Sequence, residues 1–197
     1  MKFIESICYS KGGYQNLEFH QERVNRTFSS FYSNEPHRLN TLLPKIEDES
    51  KMKVRILYDE EGVDIEYAQY EKRNVKTLEV VESGPFDYQF KFENRDRIND
   101  LFQYSKSDDI IISIDGNITD SSYSNLAFFD GEQWFTPDTP LLNGTKRELL
   151  LTTKKLTTMT LRKDDLHSFE KVSLINAMLD LGEIEVPVEN IKFGIRK

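Results

Sequence analysis

The sequence has one cysteine, three histidines and no internal repeat or low-complexity stretch. Cys8 has no partner for an intrachain disulfide, and a lone thiol suits a reducing compartment, so a cytoplasmic protein is expected. His20, His37 and His167 are scattered without companion cysteines, which leaves no zinc-ligand spacing and no expected metal. No apolar run approaches the roughly 18 residues of a membrane-spanning helix, and Met1–Glu5 lacks the apolar centre of a signal peptide, so no membrane partner is expected. Basic residues are in deficit, 26 against 34 acidic ones for a net charge of −8. No basic block interrupts this, which disfavours nucleic acid and anionic surfaces as partners.

What is present is an ordinary globular balance over 197 residues, 38% hydrophobic and 30% charged, enough for one large domain or two small ones. Phe3–Tyr9 reads as a strand and Lys11-Gly12-Gly13 as a turn. Leu17–Tyr32 has helical spacing, with Val24, Phe28 and Phe31 on one face. Pro36–Leu43 reads as a shorter helix. Val54–Tyr58 and Val63–Tyr67 are strands joined by Glu60-Glu61-Gly62, and Val75–Val81 continues that sheet. Ser83-Gly84-Pro85 is the strongest punctuation in the chain. It sets a small α+β domain at 1–83 against a larger one at 86–197. In the second domain, Asp87–Phe92 alternates as a strand and Asn94–Tyr104 is helical. Ile110–Ile114 is a buried strand ending in an Asp115-Gly116 turn. Leu126–Phe129 and Trp134-Phe135 form a hairpin across Asp130-Gly131. A helix follows Gly144 with Leu149, Leu150 and Leu156 buried, and Val172–Ala177 and Ile184–Val188 are further strands.

The hairpin is reached through Thr119-Asp120-Ser121-Ser122-Tyr123-Ser124-Asn125, polar at nearly every position. On residue type alone Asp120 reads as a turn or cap. Gly144 opens a helix, where backbone N–H groups and the dipole favour an anion, but most such glycines are turns. Arg23 follows His20 within a helix and reads as a solvated surface arginine, although its fork suits a phosphate. Lys91, between Phe90 and Phe92, falls on the opposite strand face to both. It is either the wet face or a partly buried amine of lowered pKa, able to form Schiff bases.

The order of these signals carries more than any one of them. "LEFHQERVNRTF", "YQFKFENRDRI", "NITDSSYSNLAFFDGEQWFTP", "LLNGTKREL" and "LINAM" together resemble the class IV pyridoxal-phosphate enzymes, which include branched-chain and D-amino-acid aminotransferases and aminodeoxychorismate lyase. The likeness runs from Glu5 to Ile191 and is most specific over Gly116–Arg147. It implies a mixed α/β (α+β) fold of type IV with two domains, shortened at the N-terminus, a pyridoxal 5′-phosphate cofactor between the domains, and a homodimer. It implies that Lys91 is the catalytic lysine that carries the cofactor and that Arg23 binds the cofactor phosphate. Thr145 and Lys146 would offer backbone amides to the same phosphate, and Asn176 and Ala177 would close its cup. Asp120 would face the pyridine nitrogen, with Ser124 and Asn125 facing the cofactor from the same loop.

Three departures from the family pattern stand out. The usual glutamate is the shorter Asp120. The Gly-Ile-Thr-Arg motif reads Gly144-Thr145-Lys146-Arg147, which loses a side-chain hydroxyl. Strands that usually precede the stretch matching Phe3-Ile4-Glu5, and that carry substrate contacts in the aminotransferases, have no counterpart in this sequence. "LINAM" is closer to the lyases, which implies conversion of 4-amino-4-deoxychorismate to 4-aminobenzoate and pyruvate. The alternatives are an aminotransferase for branched-chain or D-amino acids, or a non-catalytic cofactor-binding protein.

Overall fold

A computed structural model of the chain describes residues 1–47 and 50–194. They form three sheets and four short-to-medium α-helices and divide into two units, Met1–Lys72 with Phe90–Asn94, and Arg73–Gln89 with Arg95–Lys197. Among the described residues no helix is long and apolar enough to cross a membrane.

The first unit is one antiparallel sheet ordered β2-β1-β3-β4, from β1 (Phe3–Ser10), β2 (Gly13–Tyr14), β3 (Met52–Tyr58) and β4 (Val63–Gln69). Helix α1 (Leu17–Phe31) lies against β1. Their core joins Phe3, Ile7, Val24, Phe28, Val54, Ile56 and Tyr58. The helix does not bury a purely apolar stripe: His20, Arg23 and Thr27 share the covered face with Val24 and Phe28. Arg23 is 2% exposed, so the surface-arginine reading is overturned. Phe31, expected inside, is half open at 38%. The helix expected at Pro36–Leu43 shortens to α2 (Leu39–Leu42).

The stretch around Lys91 also differs from expectation. Phe90 and Phe92 both pack against the first unit's core, but the backbone between them is not a strand. Lys91 has φ 51°, a left-handed conformation rare for residues with a Cβ. The segment touches β1 through one bridge, Phe3 with Phe92. The Ile4 N–H donates to the Lys91 carbonyl (3.0 Å) and the Glu93 N–H to the Lys2 carbonyl (3.0 Å).

The second unit holds two sheets, ordered β10-β9-β8-β11-β12 and β13-β5-β6-β7. Their strands are β5 (Leu78–Ser83), β6 (Asp109–Ile114), β7 (Asn117–Ser121), β8 (Asn125–Phe129), β9 (Trp134–Pro137), β10 (Thr157–Met159), β11 (Lys171–Ile175), β12 (Glu185–Pro187) and β13 (Ile191–Phe193). Its helices are α3 (Asp96–Gln103) and α4 (Thr145–Thr152). β5, assigned from sequence to the first sheet, instead runs parallel to β6 and β13. The Asp130-Gly131 hairpin forms as read. The Asp130 carboxylate accepts from the Glu132 and Gln133 N–H groups at 2.9 and 2.8 Å, and Gly131 takes φ 103°.

Candidate active site

In the first unit the residues of interest gather on a buried carboxylate. On β1 the side chains of Phe3, Glu5, Ile7 and Tyr9 share one face by strand alternation, and that face is the core. Glu5 is therefore buried with the apolar residues. Arg23 donates to it twice, Nε to Oε1 at 2.7 Å and Nη2 to Oε2 at 2.6 Å. His20 Nδ1 lies 2.5 Å from Oε2. Burial opposes ionisation of Glu5, but Arg23 and His20 outweigh it and hold the carboxyl well below the usual range. Burial pushes His20 down more strongly than Glu5 raises it, and the charges of Arg23 and Lys91 lower it further. His20 is thus a neutral imidazole donating Nδ1–H, and its contact with Glu5 is a hydrogen bond rather than an ion pair. The ionic pair is Arg23 with Glu5. Glu5 and His20 were missed as site residues in the sequence. The legible signal was a charged side chain at an apolar strand parity.

In the second unit the polar run forms a network. Its first half is not a loop but strand β7. Asp120 ends up 5% exposed. Its Oδ1 accepts from Asn125 Nδ2 (2.7 Å) and its Oδ2 from the Leu142 N–H (2.9 Å). Asn125 also donates to the Leu142 carbonyl at 2.7 Å. Burial pushes the Asp120 carboxyl up to about 6, against these hydrogen bonds and the charge of Arg147. Ser121 Oγ accepts the Ser124 N–H at 3.0 Å, which folds the loop back on itself. Ser124 Oγ accepts from Asn176 Nδ2 at 2.9 Å. Asn176 and Ala177, read as the end of a strand, lie in a turn just past β11, where Asn176 Oδ1 accepts the Met178 and Leu179 N–H groups at 2.8 and 3.1 Å.

The same network meets the start of α4. A Cβ on Gly144 would lie 2.1 Å from Asn125 Oδ1, so only glycine allows this approach. No side chain caps the helix, and Thr145 at its first position is 4% exposed. Arg147 is a further residue passed over in the sequence. It is 5% exposed and donates to Asn143 Oδ1 and the Pro137 carbonyl, both at 2.8 Å. It anchors the start of α4 to the end of β9.

The second unit therefore pairs Asp120 with Asn125 and Ser124 with Asn176 by direct hydrogen bonds and sets Gly144 against Asn125. The first unit carries Arg23 and, on its strained backbone, Lys91. The donor set suits pyridoxal phosphate. The N-terminal N–H groups of a helix beside a close-packed glycine suit a phosphate, and a buried carboxylate suits a protonated ring nitrogen.

Comparison with known proteins agrees. A family model for amino-transferase class IV matches residues 2–185. An uncharacterized protein of Haemophilus influenzae is 35% identical over 181 residues, 89% of this chain and 96% of that one. A crystal structure from Haemophilus somnus 129PT, provisionally named a 4-amino-4-deoxychorismate lyase, superposes with a TM-score of 0.87 at 31% identity, covering 91% of this chain and 97% of the other. The fold is also that of a hypothetical aminotransferase from Mycobacterium tuberculosis in its pyridoxal-phosphate-bound form, TM-score 0.73 at 15% identity, over 96% of this chain and 81% of that one.

Proposed function

This chain belongs to the amino-transferase class IV family, a pyridoxal-phosphate-dependent group, and we propose that within it the chain acts as a lyase, converting 4-amino-4-deoxychorismate to 4-aminobenzoate and pyruvate. The observation that carries this reading is the likeness, along nearly the whole of both chains, to the Haemophilus somnus protein of that provisional name. The Asn176-Ala177 pair in the turn after β11 supports it.

The roles divide among the chain's own residues. The Lys91 amine takes the proton from the ring carbon that bears the amino group and supplies one to the departing enolpyruvate. Pyridoxal phosphate, when bound, supplies the sink for the electrons left behind. Asp120, ionised above its raised pKa, holds the proton on the pyridine nitrogen. Arg23 and the backbone amides of Thr145 and Lys146 bind the phosphate, with Asn176 and Ala177 closing around it, and Ser124 and Asn125 face the cofactor. A guanidinium has five N–H donors, of which Glu5 engages two on Arg23. Glu5 thereby fixes the orientation of the fork.

The test is product analysis. With pyridoxal phosphate and 4-amino-4-deoxychorismate the protein should release pyruvate and 4-aminobenzoate in equal amounts. Borohydride should fix the cofactor on Lys91, and Lys91→Ala should abolish both labelling and turnover. Labelling without pyruvate, together with keto-acid formation from branched-chain or D-amino acids, would replace the lyase by a transaminase. Labelling of a different lysine would overturn the site itself.

A further inference from the structure

Helix α4 opens with a residue its own dipole disfavours. Lys146 stands at the second position of Thr145–Thr152, at the positive end of the macrodipole, where a cation is normally repelled. Its side chain is nonetheless 12% exposed and ion-paired to Asp180, itself 73% exposed. Asp180 directly follows the Asn176–Leu179 turn. That turn is tied to the Ser124 loop through Asn176 and closed by the Leu179 N–H donating to the Asn176 carbonyl at 3.1 Å. The Lys146–Asp180 pair therefore links the two segments of the second unit to which the phosphate is assigned.

The charge balance gives this pair its meaning. A phosphate monoester carries about −1.5 to −2 at neutral pH. Arg23, the cation assigned to it, is already offset by the buried Glu5. The class pattern places threonine where this chain has Lys146, so the added cation is a feature of this chain. We propose that the Lys146 ammonium is a ligand of the cofactor phosphate held in reserve by Asp180. On binding it leaves Asp180 for the phosphate, and the exposed Asp180 carboxylate passes to water. An exposed carboxylate holds its partner weakly, whereas a doubly charged anion at a helix N-terminus draws the cation inward. Asp180 then sets how strongly the site prefers the phosphorylated cofactor. This inference rests on the cofactor reading above.

The experiment is a binding titration without turnover, using pyridoxal phosphate and pyridoxal as separate probes. Lys146→Met, which keeps the stem and adds no donor, should weaken pyridoxal phosphate by about tenfold or more, as the loss of one charge-assisted hydrogen bond does, and leave pyridoxal unchanged. Asp180→Asn should tighten pyridoxal phosphate several-fold. The double variant should match Lys146→Met alone, because Asp180 acts only through Lys146. Unchanged affinity in Lys146→Met, or an undiminished Asp180→Asn effect when Lys146 is absent, overturns the inference while the cofactor site stands. Failure of the unaltered protein to bind either probe overturns both.

Discussion

Glu5 in the first unit and Asp120 in the second are both withdrawn from water, 0% and 5% exposed, yet their acidities move in opposite directions. Glu5 is held well below the usual carboxylate range and Asp120 is pushed up to about 6. The difference lies in the partners. Glu5 meets a guanidinium in bidentate contact, so a full opposite charge offsets its desolvation. Asp120 is held by amide donors, from Asn125 and Leu142, and feels the charge of Arg147 without pairing to it; these offset only part of that cost and leave the carboxyl easier to protonate than usual. One carboxylate is locked in its charge; the other stays within reach of protonation and gains most from a cationic partner. That contrast matches the roles proposed for them, a fixed support for Arg23 and a partner for a ring nitrogen.

The largest effect should come from breaking the locked pair. Glu5→Gln leaves Arg23 buried without its counter-charge, which costs about 3–5 kcal/mol. Amide exchange in β1 and α1 should accelerate accordingly, and binding of pyridoxal phosphate should weaken because the fork loses its orientation. If β1 and α1 keep their protection, the pair is not what holds this face of the unit together.

Next in size is the titration of Asp120. Its folded pKa lies above the ordinary value of 3.8, at about 6. Its contribution to stability is therefore fully present below pH 3.8 and is lost as pH rises through 6. The rise corresponds to roughly 3 kcal/mol. Exchange protection of β7 and β8 should fall between about pH 4 and 6 in the protein without cofactor, and Asp120→Asn should flatten that slope whatever its constant offset. With cofactor bound the slope should also shrink, since a protonated ring nitrogen favours the ionised carboxylate. An unchanged slope in Asp120→Asn assigns the titration to another group.

How much of this was legible in the sequence follows from the same two sites. The Asp130-Gly131 hairpin, the buried Ile110–Ile114 strand and the α4 helix after Gly144 were readable because short-range pattern and turn chemistry agree there. The order of polar motifs pointed to the family. The partners were not readable. Nothing local says that Glu5 faces Arg23 across a core, because that contact depends on β1 and α1 packing through residues far apart in sequence. Lys91 looked like a strand residue because Phe90 and Phe92 alternate correctly; its left-handed backbone arises where the chain makes one bridge to β1 and leaves. Strand β5 was placed in the wrong sheet because its apolar pattern fits either sheet equally, and its parallel pairing with β6 and β13 is set by distant segments.

The smallest effect separates His20 from Arg23 as supports of Glu5. Burial lowers the His20 pKa below its ordinary 6.5. A histidine that stays neutral when folded but binds a proton when unfolded stabilises the fold above pH 6.5 and ceases to do so as pH falls. The loss is at most about 1.4 kcal/mol for each pH step below 6.5 while the folded imidazole remains neutral. This slope is opposite in sign to that of Asp120, so acidification from pH 6.5 to 5 should weaken protection in α1 while strengthening it in β7. His20→Gln keeps an amide donor for Glu5 and removes the titration. It should flatten the α1 slope, leave the β7 slope untouched, and cost little at pH 7.5. If α1 in His20→Gln still loses protection on acidification, the slope belongs to another group and the buried imidazole does not set it.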